Sequence, residues 1–196
     1  MKTRKNNECH ASRTALTSKR QTPRSAAGRI LHEVLDWSRV LLTALVISFV
    51  VSHTLIANAQ VPTGSMETTI MKGSRIIVNR LAYVSADPQR GDIIAFYFPD
   101  DGKSLYLKRI IALPGEEIRG VDGVVYIDGQ PLSESYIREA AEEDFGPWVV
   151  PENSWFVMGD NRNNSLDSRY WEDKFVERDE ILGKAEVEYF PELKRL

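Results

Sequence analysis

Ser65 stands in Val61-Pro62-Thr63-Gly64-Ser65-Met66-Glu67, directly after a glycine and a few residues beyond a long apolar run. A hydroxyl in such a turn can act as a nucleophile when a base lies beside it, although Thr-Gly-Ser is also ordinary turn material. Which base the chain can supply is narrowed by elimination. The histidines are His10, His32 and His53 and the single cysteine is Cys9, so residues 58–196 contain neither type. A Ser-His-Asp triad and a cysteine nucleophile are thereby excluded from this region, and a metal would find only oxygen ligands there.

Lysine is the remaining strong base. Beyond Ala59 the chain carries Lys72, Lys103, Lys108, Lys174, Lys184 and Lys194. Lys108 alone stands inside an apolar run, Leu105-Tyr106-Leu107-Lys108-Arg109-Ile110-Ile111-Ala112-Leu113; the others neighbour glycine or charge, as solvated lysines do. In a strand, Lys108 shares a face with Tyr106, Ile110 and Ala112, and Arg109 shares the other with Leu107 and Ile111. Both faces read as buried, so at least one of the two cations must be desolvated, paired or placed at an edge. Desolvation is what a base needs, since a free lysine, with a pKa of about 10.4, is almost wholly protonated at neutral pH. The ordinary alternative is a lysine that snorkels from a strand end to water.

A third polar stretch follows an apolar strand: Gly159-Asp160-Asn161-Arg162-Asn163-Asn164-Ser165-Leu166-Asp167-Ser168-Arg169. It reads either as a long loop of Asx-turns or as a support that orients the Lys108 amine through Ser165. In the second reading Asp160, Arg162, Asp167 and Arg169 pair with one another to stiffen the loop.

The elements that must position these groups differ along the chain. Residues 1–39 hold nine Lys/Arg against three acids, and the remaining 157 residues hold 16 basic and 25 acidic side chains. Residues 1–28 are too polar to fold alone, and Ile30, Leu31, Val34, Leu35 and Trp37 recur at helical spacing suited to an interfacial turn. Residues 40–57, VLLTALVISFVVSHTLIA, are eighteen residues without a formal charge except at His53, which suits one transmembrane helix. The basic excess before it places residues 1–39 in the cytoplasm and residues 58–196 outside. That charge asymmetry suits a lipid bilayer and not a nucleic acid. Ala57-Asn58-Ala59 is also a small-x-small cleavage pattern, so a removed secretory signal competes with the anchor.

After Ala59 short β-type runs follow at 75–78, 92–98, 105–113, 124–127, 155–158 and 181–189, separated by glycine, proline, aspartate and asparagine. The expected fold is mainly β and antiparallel. Asp122-Gly123 and Asp128-Gly129 bracket a hairpin, and residues 133–144 have room for a short helix.

Taken together, Thr63-Gly64-Ser65-Met66, Gly91-Asp92-Ile93-Ile94, Lys108-Arg109-Ile110-Ile111-Ala112-Leu113-Pro114-Gly115 and Gly159-Asp160-Asn161-x-x-x-Ser165-x-Asp167-Ser168-Arg169 resemble bacterial type I signal peptidase, in that family's order. The resemblance implies a membrane-anchored Ser-Lys endopeptidase that removes signal peptides from exported preproteins at Ala-x-Ala-type sites. It implies Ser65 as nucleophile and Lys108 as general base. Ser165 would position the lysine, and the Thr63 hydroxyl with the Ser65 amide would form the oxyanion hole. Met66, Asp92, Arg109, Asp160, Arg162, Asp167 and Arg169 would be structural residues near the site. The preprotein would bind as an extended strand, with no metal or organic cofactor. Thr63 stands where many members have serine, one span replaces two, and the short stretch 116–153 implies a small accessory β insertion. Two rivals are a tethered β-rich binding module without catalysis and a repressor-type Ser-Lys autoprotease. The polar N-terminal 39 residues are too short to supply the DNA-binding domain that the autoprotease needs.

Overall fold

A computed structural model describes residues 26–51 and 55–196. The chain divides into two units, residues 1–45 and 46–196. The described part of the first belongs to α1, Ala26–Val50. The helix has no breaker after Gly28, and the helical spacing of Ile30, Val34, Leu35 and Trp37 continues into Leu41, Leu42 and Leu45, all of which are exposed. Residues 26–28, expected in the unfolded tail, open this helix; residues 1–25 lie outside the described residues.

The expected span over residues 40–57 is not one helix. Helix α1 ends at Val50, residues 52–54 lie outside the described residues, and Ile56 and Ala57 already belong to β1 (Ile56–Gln60). Among the described residues no helix is long and apolar enough to cross a membrane. The tripeptide Ala57-Asn58-Ala59 is held in β1, where Ala57 pairs with Val78 and Ala59 with Ile76, and both alanines pack on the core.

The second unit is built from β1, β2 (Arg75–Asn79), β3 (Ile93–Tyr97), β4 (Leu105–Ala112), β5 (Glu117–Val121), β6 (Val124–Ile127), β7 (Gln130–Pro131), β8 (Phe145–Val149), β9 (Ser154–Met158), β10 (Val176–Glu177), β11 (Ile181–Phe190) and β12 (Lys194–Arg195). An eight-stranded antiparallel sheet runs β1-β2-β11-β3-β4-β9-β10, with β12 also on β11. Strands β3 (IIAFY) and β9 (SWFVM) are continuous apolar runs because they are interior strands covered on both faces. The small accessory sheet runs β7-β6-β5-β8. Its two tight turns, Asp122-Gly123 and Asp128-Gly129, have positive φ at both residues, as type I′ hairpins require.

Strands β1 and β8 were hidden in the sequence, the first by an apolar run that continues from a helix and the second by Gly146 and Pro147. Residues 133–144, expected to have room for a short helix, contain turns and bends instead, and from them Glu134 reaches Arg162 and Tyr136 reaches Arg109. Three apolar clusters hold the unit together. One, with Val61, Met66, Ile70, Ile76 and Ile93, lies beneath the Ser65 turn. A second gathers Phe96, Ile110, Trp155 and Trp171. The third joins Ile111, Phe156 and Met158 of the main sheet to Ile118 and Val125 of the accessory sheet.

Candidate active site

The Ser65 turn is fastened from both ends. Val61 N donates to Ser74 O at 2.9 Å and Gly73 N to Val61 O at 2.8 Å, while the Met66 side chain is wholly buried in the first cluster. Asn161 pins the middle, its backbone N donating to Ser65 O and its Nδ2 to Gly64 O, each at 3.0 Å. None of the hydrogen bonds among the described residues uses the Ser65 backbone N–H, which leaves it available to an incoming oxyanion.

Strand β4 brings Lys108 to this turn across 43 positions of sequence. Lys108 Nζ donates to Ser65 Oγ at 2.7 Å, and Thr63 Oγ1 lies 3.3 Å from the same oxygen. The amine is 4% exposed and sits 5.6 Å from the centre of the Tyr106 ring. Burial pulls its pKa down from the ordinary 10.5 to about 8; Arg169 adds to the fall, and Asp167 and Asp160 oppose it. Arg109 resolves the other half of the sequence puzzle by pairing. Its Nε and Nη2 reach Asp160 Oδ1 and Oδ2 at 2.8 and 2.6 Å, its Nη1 reaches Gly91 O at 2.7 Å, and it stacks 4.1 Å from the Tyr136 ring centre.

Beside the pair opens a mostly apolar cleft of about 320 Å³, walled by residues 59–65 on one side and 105–108 on the other, with Asn164 and Leu166 at its rim. Ala59 and Gln60 of β1 and residues 105–108 of β4 present strand backbone to the cleft, which suits an extended peptide laid along it. The arrangement can activate a hydroxyl, stabilise an oxyanion and hold an extended chain with small side chains.

The model of the family described as signal peptidase, peptidase S26, matches residues 34–190. The chain belongs to this family. It is 39% identical over 163 residues to a probable signal peptidase I-2 of Synechocystis sp., covering 80% of this chain and 73% of that protein. It is 41% identical over 147 residues to signal peptidase I of Leptolyngbya laminosa, covering 71% of each. A crystal structure of a signal peptidase I from Enterococcus faecalis is 38% identical, with a TM-score of 0.45, and the match covers 50% of this chain and 96% of that one.

In this signal peptidase family member the loop after β9 is tied differently from the expectation that its four charged residues pair among themselves. Only Asp167 and Arg169 do so, with Arg169 Nε on Asp167 Oδ1 at 2.8 Å. Asp160 turns outward to Arg109 and also accepts from Thr69. Arg162, whose side chain is fully buried, pairs with Glu134 of the accessory insertion. The reason is burial: a charge lining a packed loop takes whichever opposite charge is also out of water, however distant in sequence.

Ser165 is close to the site but not joined to the amine. Its Oγ donates to Asp167 Oδ2 at 2.7 Å, and no hydrogen bond joins it to Lys108. Asp92 is the one expected residue that lies apart, its carboxylate accepting from Tyr83 and Gln89 and pairing with Lys184 at 2.5 Å. Glu134, Tyr136 and Thr69 were missed, and Asn161 entered only as part of the loop motif, without its role of pinning the Ser65 turn. The only sequence signal for Glu134 was indirect, an arginine in an apolar setting that needed an acid from elsewhere.

Gly159 has no room for a side chain. A Cβ there would stand 2.3 Å from Ser165 Oγ and 2.5 Å from Ser65 O. Gly159→Ala is therefore expected to destabilise the fold by about 1–3 kcal/mol and to push the loop off the Ser65 carbonyl. Urea unfolding together with initial rates checks this; an alanine variant with unchanged midpoint and rate would contradict it.

Proposed function

We propose that this chain is a membrane-anchored serine endopeptidase that cuts signal peptides from exported preproteins. The observation that carries the proposal is the 2.7 Å pairing of Ser65 with a lysine that is almost wholly out of water. Ser65 Oγ attacks the carbonyl carbon of the scissile bond while the neutral Lys108 amine takes its proton. The Ser65 N–H and the Thr63 hydroxyl receive the oxyanion. Lys108 then returns the proton to the leaving amine, and a water activated by the same amine hydrolyses the acyl-enzyme. Asp167, Arg169, Arg109 and Asp160 hold the frame around the amine, and Ser165 braces Asp167 beneath it.

The preprotein lies extended between residues 59–65 and 105–108, with small side chains of an Ala-x-Ala-type site entering the apolar cleft. The anchor is the uncharged stretch that begins after Arg39. Leu41, Leu42, Leu45, Val46, Ile47 and Phe49 are all exposed around α1, and Thr43 satisfies its own hydroxyl on Arg39 O at 2.8 Å. A helical stretch whose apolar side chains are exposed on every side is at home in lipid. With the basic residues of the first 39 on the cytoplasmic side, the catalytic unit lies on the outer face, where exported chains emerge.

The test is cleavage of an Ala-x-Ala peptide by the full chain in detergent across pH. The base must lose its proton, so kcat/KM rises with pH through a midpoint near 8, the value to which burial brings Lys108. A profile flat from pH 6 to 10 would sink the assignment of Lys108 as the base.

A further inference from the structure

Glu134 and Tyr136 lie outside every motif that points to the active site, on the loop that leaves the accessory sheet after β7. Yet both reach the frame around Lys108. Glu134 accepts from Arg162 through both carboxylate oxygens, the Arg162 Nη1 contact being 2.9 Å. Arg162 Nε donates to Gly159 O at 3.1 Å, and Arg162 O accepts from Arg169 Nη2 at 2.7 Å. Arg169 holds Asp167, whose Oδ2 accepts from Gly159 N at 2.9 Å, so these bonds close a ring on the loop that backs the Ser65 turn. Tyr136 OH donates to Glu134 Oε1 at 2.7 Å, and its ring lies under the Arg109 guanidinium, next along the strand from Lys108.

We infer that Glu134, with Tyr136, is a positioning residue for the peptidase: it locks Arg162 and Arg109 so that the loop stays closed over the Lys108 amine. The accessory sheet thereby acts on the chemistry as well as on folding. The inference rests on the reading of Lys108 as the base. Lys108 touches the Ser65 hydroxyl and the Tyr106 ring, the charges of Asp167, Arg169 and Asp160 act on it from nearby, and Arg109 adjoins it in sequence. Three of these, Asp167, Arg169 and Asp160, are held by the ring or by Arg109. Loosening the tie lets the loop lift and water reach the amine, which returns toward the affinity for protons of a solvated lysine.

The experiment is the pH dependence of kcat/KM for the full chain in detergent, comparing wild type, Glu134→Gln, Tyr136→Phe and Val125→Ala. The midpoint does not depend on how much enzyme is folded, so partial unfolding does not mask the result. Glu134→Gln is expected to move the midpoint up by about one pH unit, which lowers the rate at pH 7 about tenfold and restores it near pH 10, with KM little changed. Tyr136→Phe is expected to move it the same way by less, and it decides the matter if Glu134→Gln does not fold. Val125→Ala, which opens the cluster that Tyr136 packs against but leaves the Glu134–Arg162 pair itself in place, should move the midpoint by far less than Glu134→Gln. Unmoved midpoints in Glu134→Gln and Tyr136→Phe, or an equal shift in Val125→Ala, overturn the inference while the peptidase reading stands. A wild type without a rising limb overturns both.

Discussion

Lys108→Met is expected to give a protein that cleaves no peptide and resists unfolding better than its parent. The amine is held 4% exposed with a pKa of about 8, against 10.5 for the ordinary side chain. In this window the unfolded chain binds the proton more tightly than the folded one. Stability therefore rises with pH between about 8 and 10.5, and below about 8 the fold carries the whole cost of keeping a cation out of water. At roughly 1.4 kcal/mol for each tenfold change in affinity, that cost is about 3 kcal/mol. Methionine fills similar space without a charge and forfeits one hydrogen bond to Ser65, worth about 1 kcal/mol. A net gain of about 2 kcal/mol is expected at pH 7, turning above pH 10.5 into a loss of about 1 kcal/mol, the missing hydrogen bond alone. Urea denaturation at pH 7 and pH 10.5 reads both values. A methionine variant less stable than wild type at pH 7 would show that the amine is solvated or compensated in a way its surroundings do not suggest.

The second large effect is kinetic. Ser65→Ala removes the attacking oxygen and Lys108→Ala the group that strips its proton. Each is expected to lower kcat by roughly 10⁴- to 10⁶-fold with the fold retained. Because the two act as one unit, the double variant should be no slower than either single one. KM should change little, since the cleft walls at residues 59–65 and 105–108 remain. Independent, multiplying losses in the double variant would mean that Ser65 and Lys108 serve separate steps. A residual rate within tenfold of wild type in Ser65→Ala would remove the nucleophile.

Much of the site was legible before any coordinate because its chemistry is scarce. Residues 58–196 have no histidine and no cysteine, so a nucleophilic serine there has few bases to choose from. Among six lysines only Lys108 interrupts an apolar strand, and a cation in that setting must be buried, paired or at an edge. The alternation along β4 also implied that Lys108 and Arg109 face opposite ways, and they meet different fates, one beside Ser65 and the other on Asp160. Local turn chemistry was equally readable, since Asp-Gly between short apolar runs favours the type I′ hairpin found at Asp122-Gly123 and Asp128-Gly129.

What tertiary structure alone decided is which distant groups share a dry environment. Nothing in residues 133–144 separates Glu134 from Glu139, Glu142 and Glu143; only packing buries the first, against Arg162, and leaves the other three exposed. The same holds for Ser165, which sequence order directs toward Lys108 and folding directs onto Asp167. It holds too for β1, whose residues continue an apolar run but find a partner strand in β2. Residue type and spacing determine what a segment can do with its neighbours in the chain. The pairing of charges across tens of residues depends on desolvation, and the sequence does not order acids by how far from water the finished fold will carry them.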